Sequence, residues 1–212
     1  SEMNAGWIIE GPACLEAGMA ALSARCPSMA VAYGRTGPLS LRRKPEGFAA
    51  LFSAIVSQQV SVASARAIWG RVAAAGLTTE RAVRAARDAE LRAVGLSRPK
   101  QRYARALADA RIDYDGLRAM TDEQVIATLV AVPGIGRWTA EIYAMFSLGR
   151  CDIFAAGDLA LQDAARALYD LPDRPTERQL RRMAEAWSPF RSVAARLLWA
   201  YYRVDRNKEG IA

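Results

Sequence analysis

The groups best equipped for chemistry in this 212-residue chain are carboxylates and backbone amides, because histidine is absent altogether. That absence excludes Ser-His-Asp and Cys-His nucleophile systems, His-ligated zinc and switching by imidazole protonation. The three cysteines, Cys14, Cys26 and Cys151, form no C-x-x-C pair and cannot assemble a structural zinc site or a four-cysteine iron–sulfur cluster. They read as buried thiols of a reducing compartment. Among the carboxylates, Asp158 immediately precedes a helical stretch over residues 159–169, where it would serve as the N-cap and stay ionised. The backbone candidate is Leu129-Val-Ala-Val-Pro-Gly-Ile-Gly-Arg-Trp-Thr-Ala140. A helix runs into Pro133, Gly134-Ile135-Gly136 makes a tight turn, and a second helix starts near Arg137. Backbone N–H groups at such a turn and helix start suit a phosphate oxygen, with a bound cation able to help. An ordinary corner that uses glycine only for close packing is the alternative.

Helices must position these groups. Phe48, Leu51, Phe52, Ile55, Val56, Val60 and Ile68 recur at intervals of three and four, the amphipathic period, with a break expected near residues 58–61. Thr79 can cap a helix through Arg87, Gly95 can close a short one over residues 89–94, and Pro99 suits the first turn of a helix over residues 100–110. Thr121 with Gln124, and Thr176 with Gln179, each spell a capping box. The first opens a helix that Pro133 must end, the second a helix over residues 180–187. No sustained apolar/polar alternation and no Asn-Gly hairpin between β-branched runs is present, so an all-α fold is predicted.

Lys plus Arg number 29 against 22 acids, a formal charge of +7 that favours a polyanionic partner such as nucleic acid. The longest apolar runs fall far short of the roughly 20 residues needed to span a bilayer. No membrane partner is expected, and cytoplasmic residence with chromosomal DNA is the expectation.

The string Val-Pro-Gly-Ile-Gly-Arg-Trp-Thr-Ala closely resembles the helix-hairpin-helix of the HhH-GPD DNA glycosylase superfamily, in its 3-methyladenine DNA glycosylase II (AlkA-like) branch. Further stretches resemble that branch in order and spacing: Gly37-Pro38-Leu39, Ala54-Ile-Val-Ser-Gln-Gln-Val-Ser61, Gly95-Leu-Ser-x-x-Lys100-x-x-Tyr103, Asp152-Ile-Phe-Ala-Ala-Gly-Asp158-Leu and Trp187-Ser-Pro-Phe-Arg191-Ser. The resemblance implies a two-lobed helical fold with an active-site cleft between the lobes. One lobe would be residues 47–150, ending in the hairpin motif at about 123–148. The other would join residues 1–46 to 151–212.

The same resemblance implies roles. Asp158 matches the catalytic aspartate, with Asp152 and Asp163 as much weaker alternatives, and its carboxylate would stabilise positive charge on the sugar and orient water. Trp138 and Trp187, and more weakly Tyr143 and Trp69, would line the base pocket, where a cationic base over an aromatic face gains roughly 0.5–2 kcal/mol. Gln59, with Gln58, would fill the gap left by an extruded nucleotide. Val132, Gly134, Ile135, Gly136, Arg137 and Thr139 would bind DNA phosphate at the hairpin. Members that also nick the backbone carry lysine where this chain has Trp138, so a monofunctional enzyme is implied, with no cofactor and no metal beyond that hairpin cation. Alkylated purines fit such a site, since a base carrying formal positive charge leaves neutral and needs no general acid. The expected partner is double-stranded DNA with alkylated bases, bound by a monomer. A non-catalytic helix-hairpin-helix module, or a glycosylase for deaminated or mismatched bases, is the rival reading. Gly157 departs from the branch, where a second aspartate often precedes the catalytic one.

Overall fold

The computed structural model describes residues 7–208, and among these the secondary structure is helical, with a single isolated β-bridge between Ile8 and Arg150 and no strand. The chain forms two compact units, Ser1–Arg43 with Ala144–Ala212, and Lys44–Tyr143. The first is called the terminal unit below, the second the central unit.

Helices α1 (Pro12–Arg25) and α2 (Pro27–Thr36) open the terminal unit, each with proline in its first turn, where the missing N–H would have no intrahelical partner. Periodicity did not mark these two; the prolines are the signal that could have.

The central unit begins with α3 (Phe48–Ser57) and α4 (Val62–Ala74). The break between them falls where the sequence predicts, and Ser61 caps α4 by accepting the Ser64 N–H at 3.0 Å. Thr79 caps α5 (Glu80–Ala85), which stops short of the expected Arg87 because a new helix, α6 (Asp88–Ala93), starts there. Helix α7 (Arg98–Asp109) begins two residues before the expected Lys100, with Ser97 as its cap. Both halves of the Thr121–Gln124 capping box form at the start of α8 (Asp122–Val130), and α9 (Arg137–Ile142) follows the glycine turn. Phe48, Leu51, Phe52, Ile55 and Val56 of α3 are buried with Leu107, Leu117, Val125 and Leu129. At the general rate of about 25 cal/mol per Å² of apolar surface, each such side chain contributes on the order of 2 kcal/mol.

Asp158 caps α10 (Leu159–Leu168), Thr176 completes a capping box on α11 (Glu177–Ala184), and α12 (Arg191–Lys208) is the longest helix described. The predicted helix over 180–187 therefore starts earlier and tightens into a 3₁₀ turn at Glu185–Trp187. Helix α12 packs on α1, α2 and α10. Gly18 permits the α1 approach, since a Cβ there would lie 2.9 Å from Val193 Cγ2.

The boundaries of the units differ from the predicted lobes at both joints. Residues 144–150 belong to the terminal unit because the π-helical turn Tyr143–Ser147 is bonded and packed there from Met145 and Phe146. Arg196 Nη2 donates to the Met145 carbonyl at 3.2 Å, and the Phe146 ring centroid lies 5.5 Å from that of Trp199. Residues 44–46 belong to the central unit, where Glu46 accepts Arg118 at 2.7 Å.

Candidate active site

In the terminal unit, the turn 155–158 delivers Asp158 to the start of α10, its N–H donating to the Ala155 carbonyl at 2.9 Å. Its Oδ1 accepts the Leu161 N–H at 3.0 Å, the capping bond. The same oxygen accepts Trp199 Nε1 from α12 at 3.1 Å. The carboxylate is half-buried, held at a helix N-terminus that favours negative charge, and fixed by a neutral donor. It can therefore present charge to a developing cation without reorganising. Trp199 is a site residue that the sequence did not disclose. Its partner lies 41 positions away, and an apolar helix position looks like core.

The other two aspartates are committed elsewhere. Asp152 receives a forked pair from Arg191, at 2.8 Å from Nε and 3.1 Å from Nη2, together with the Ser188 hydroxyl at 2.7 Å. It clamps the 188–191 loop to the unit. Asp163 pairs with Arg174 at 2.8 Å. Gly157 has a local explanation: a Cβ there would lie 3.4 Å from Cδ and Oε2 of Glu177, so an aspartate would face a like charge.

In the central unit, the glycine turn is built by close approach. Gly134 has φ +92°, and an added Cβ would overlap the Tyr103 ring of α7, so both conformation and space demand glycine. Val132 and Ile135 are buried, and the Ile135 N–H donates back to the Val132 carbonyl at 3.1 Å. Ile135 thus anchors the turn, and its N–H does not join those expected to meet a phosphate. Gly136 is the N-cap of α9, so the N–H groups of the following turn, through Thr139, are the ones a helix start leaves without intrahelical partners. Thr139 is buried, and Arg137 lies 3.5 Å from the buried Glu141. Among the described residues no group of three or more His, Cys, Asp or Glu side chains could hold a metal ion.

The glutamine loop is tied to this turn. Gln58 Nε2 donates to the Gly134 carbonyl at 2.9 Å, while the neighbouring Gln59 is exposed and left-handed at φ +57°. Lys100, to which the sequence pattern assigns no role, donates from Nζ to the Val56 carbonyl at 2.6 Å, satisfying the C-terminus of α3 just before the loop. Burial lowers its ammonium below the ordinary lysine range. Gln58, Gln59, Lys100 and Tyr103 border a cavity of about 480 Å³.

The aromatic candidates divide. Trp138, on the first turn of α9, is 46% exposed. Tyr143 is buried, its hydroxyl accepting the Gly47 N–H at 2.8 Å, and burial raises its phenol above the ordinary value. Trp69 packs edge-on against Phe52. In the terminal unit Trp187 is buried, tilted on Phe154 and stacked on Tyr169, and it borders a cavity of about 290 Å³.

Comparison with known proteins agrees across sequence and structure. The family described as "HhH-GPD superfamily base excision DNA repair protein" matches residues 52–189. The chain is 31% identical to DNA-3-methyladenine glycosylase 1 of Schizosaccharomyces pombe over 175 residues, 78% of this chain and 77% of that one. Among solved structures it resembles a DNA-3-methyladenine glycosidase from Bacillus halodurans, with TM-score 0.77 and 33% identity, covering 92% of this chain and 91% of that one. The S. pombe 3-methyladenine DNA glycosylase in complex with abasic DNA gives TM-score 0.73 and 30% identity, covering 86% and 94%.

Proposed function

The chain belongs to the HhH-GPD superfamily of base excision DNA repair proteins, and from that premise we propose that it is a monofunctional DNA glycosylase releasing alkylated purines from duplex DNA. The observation that carries this reading is the Asp158 carboxylate, held by the Leu161 and Trp199 donors at 3.0 and 3.1 Å.

In the proposed reaction the damaged nucleotide rotates out of the helix, at a cost of a few kcal/mol. Gln59 enters the gap, and the backbone after Gly136 holds a flanking phosphate. The N-glycosidic bond breaks with its electron pair going to the purine, which leaves neutral because alkylation had made it cationic. Asp158 faces the positive charge left on the sugar and orients the water that attacks C1′, whose proton passes to the carboxylate or to solvent. The exposed Trp138 offers an indole face to the cationic base. With tryptophan at position 138, no amine stands there to form a Schiff base, so the product is an abasic site on an intact strand. A monomer suffices for these steps.

Duplex DNA treated with a methylating agent, incubated with the protein and assayed for free 3-methyladenine and 7-methylguanine, tests the proposal. Release of methylated base without strand scission is expected. Tight binding with no release would leave a DNA-binding module in place of the enzyme.

A further inference from the structure

A basic feature lies within the terminal unit, outside the helix-hairpin-helix. A cavity of about 350 Å³ is lined by Arg42, Arg196 and Arg203 together with Ser40, Trp199 and Asn207, and no carboxylate lines it. Arg42 and Arg203 are exposed, and among the described residues neither side chain makes an ion pair or a hydrogen bond. Arg196 is 4% exposed. It donates to the Ser192 hydroxyl and carbonyl and to the Met145 carbonyl, but its buried Nε has no hydrogen-bond partner. Arg42 is also held in the left-handed region at φ +52°, an uncommon conformation for an arginine.

Three guanidiniums gathered without an acid call for an anion. The C-termini of α2 and α12 are close in sequence to Thr36 and Asn207 of the lining, and each supplies only about half a negative charge. Together they offset roughly one of the three positive charges. Burial is the main influence on the ionisation of the group, and neighbouring arginines add to it. Burial, with Arg43 and Arg42 contributing, brings the Arg196 guanidinium down to about 10, and burial followed by Arg42 lowers Arg203. Planar guanidiniums can bind phosphate oxygens in pairs, so the three side chains have the chemistry to hold a phosphodiester. Trp199 supplies the connection to chemistry: one side chain both lines the cavity and donates to Asp158 at 3.1 Å.

We propose that this cavity is a second DNA-phosphate subsite, in which Arg42 and Arg203 grip a phosphodiester of the strand carrying the damaged nucleotide. The proposal rests on the glycosylase reading, because it is the Trp199–Asp158 pair that gives a phosphate held here a reacting sugar to position. Burying a phosphate against Trp199 also fixes the indole that steadies the carboxylate.

The test is the salt dependence of binding to a duplex with an abasic-site analogue, for wild type, Arg42→Ala/Arg203→Ala and Arg178→Ala. Arg178 is an exposed arginine of α11 outside the cavity and controls for the loss of a positive charge elsewhere on the surface. Both cavity positions are exposed, so the fold should persist, as circular dichroism melting would check. The double variant should bind at least tenfold more weakly, and its slope of log affinity against log salt should be shallower by about 0.9 for each phosphate it no longer neutralises. Arg178→Ala should match wild type in slope, and Arg42→Lys/Arg203→Lys should recover most of it. An unchanged slope in the double variant overturns the proposal. So does competition by inorganic phosphate that the double variant abolishes while the DNA slope stays the same, since the cavity would then be a site for free anions. Free-base release by wild type is measured alongside. Its absence with an altered slope refutes the glycosylase reading and leaves the subsite, whereas release with an unaltered slope does the reverse.

Discussion

The glycine turn of the central unit and the carboxylate corner of the terminal unit solve the same problem by opposite means. Around Gly134 the candidate functional atoms are backbone, and side chains serve to define a space: Tyr103 closes it, Ile135 is buried beneath it, and Gln58 fastens the adjoining loop to it at 2.9 Å. Around Asp158 the candidate functional atom is a side-chain oxygen, and other groups aim it, one from its own helix and one from α12. A backbone site tolerates no change of shape and little depends on its charges. A side-chain site keeps its shape through many substitutions and depends on one charge. The first suits repeated, sequence-blind grip on a polyanion, the second a single bond-breaking event.

Three substitutions would break or sharpen this contrast. The largest effect on catalysis should come from Asp158→Asn. Asparagine caps a helix about as well as aspartate, so melting temperature and DNA affinity should change little. Single-turnover base release should fall about 10²- to 10⁴-fold, the range typical of a lost catalytic carboxylate or charge-stabilising group. Retained turnover would move the chemistry to another residue. Gly134→Ala should show the reverse pattern. A non-glycine residue at φ +92° overlapping the Tyr103 ring should cost about 2–4 kcal/mol of stability and weaken binding to all duplexes alike. Adding Tyr103→Ala should relieve the overlap but not the backbone cost, so recovery of stability would be partial. Full recovery, or none, would show that one of these two causes had been misjudged. The smallest effect is expected from Trp199→Phe, which keeps an aromatic ring beside Phe146 and deletes the donor to Asp158. A hydrogen bond to a charged group contributes about 1.5–3 kcal/mol, and water will replace part of it. Base release should slow roughly tenfold, with affinity for undamaged DNA unchanged. A drop in affinity at full rate would make Trp199 a binding residue only.

Local signals account for most of what the sequence disclosed. The Thr121 and Thr176 capping boxes, the break at residues 58–61 and the Asp158 cap each depend on a few consecutive residues, and each forms as predicted. Helices α1 and α2 escaped because only their leading prolines mark them. The 144–150 joint shifted because Phe146 and Met145 pack against α12, some 50 positions away. The hairpin could be read because glycine type reports backbone conformation directly, though the inward donation of Ile135 could not. The cavity arginines and Trp199 lie outside any local pattern. Positions 42, 196, 199 and 203 converge only once α12 has packed, and an arginine on a helix ordinarily reads as a solvated face.

Asp158 does two jobs with one atom, since the oxygen that ends a helix is also the oxygen aimed by Trp199. Asparagine satisfies the first requirement about as well as aspartate, and only aspartate brings a charge to the second. The two are one nucleotide apart in the genetic code. On the proposed mechanism, a single point mutation would thus turn an eraser of DNA damage into a reader of it, a stable protein that finds lesions, holds them and leaves them in place.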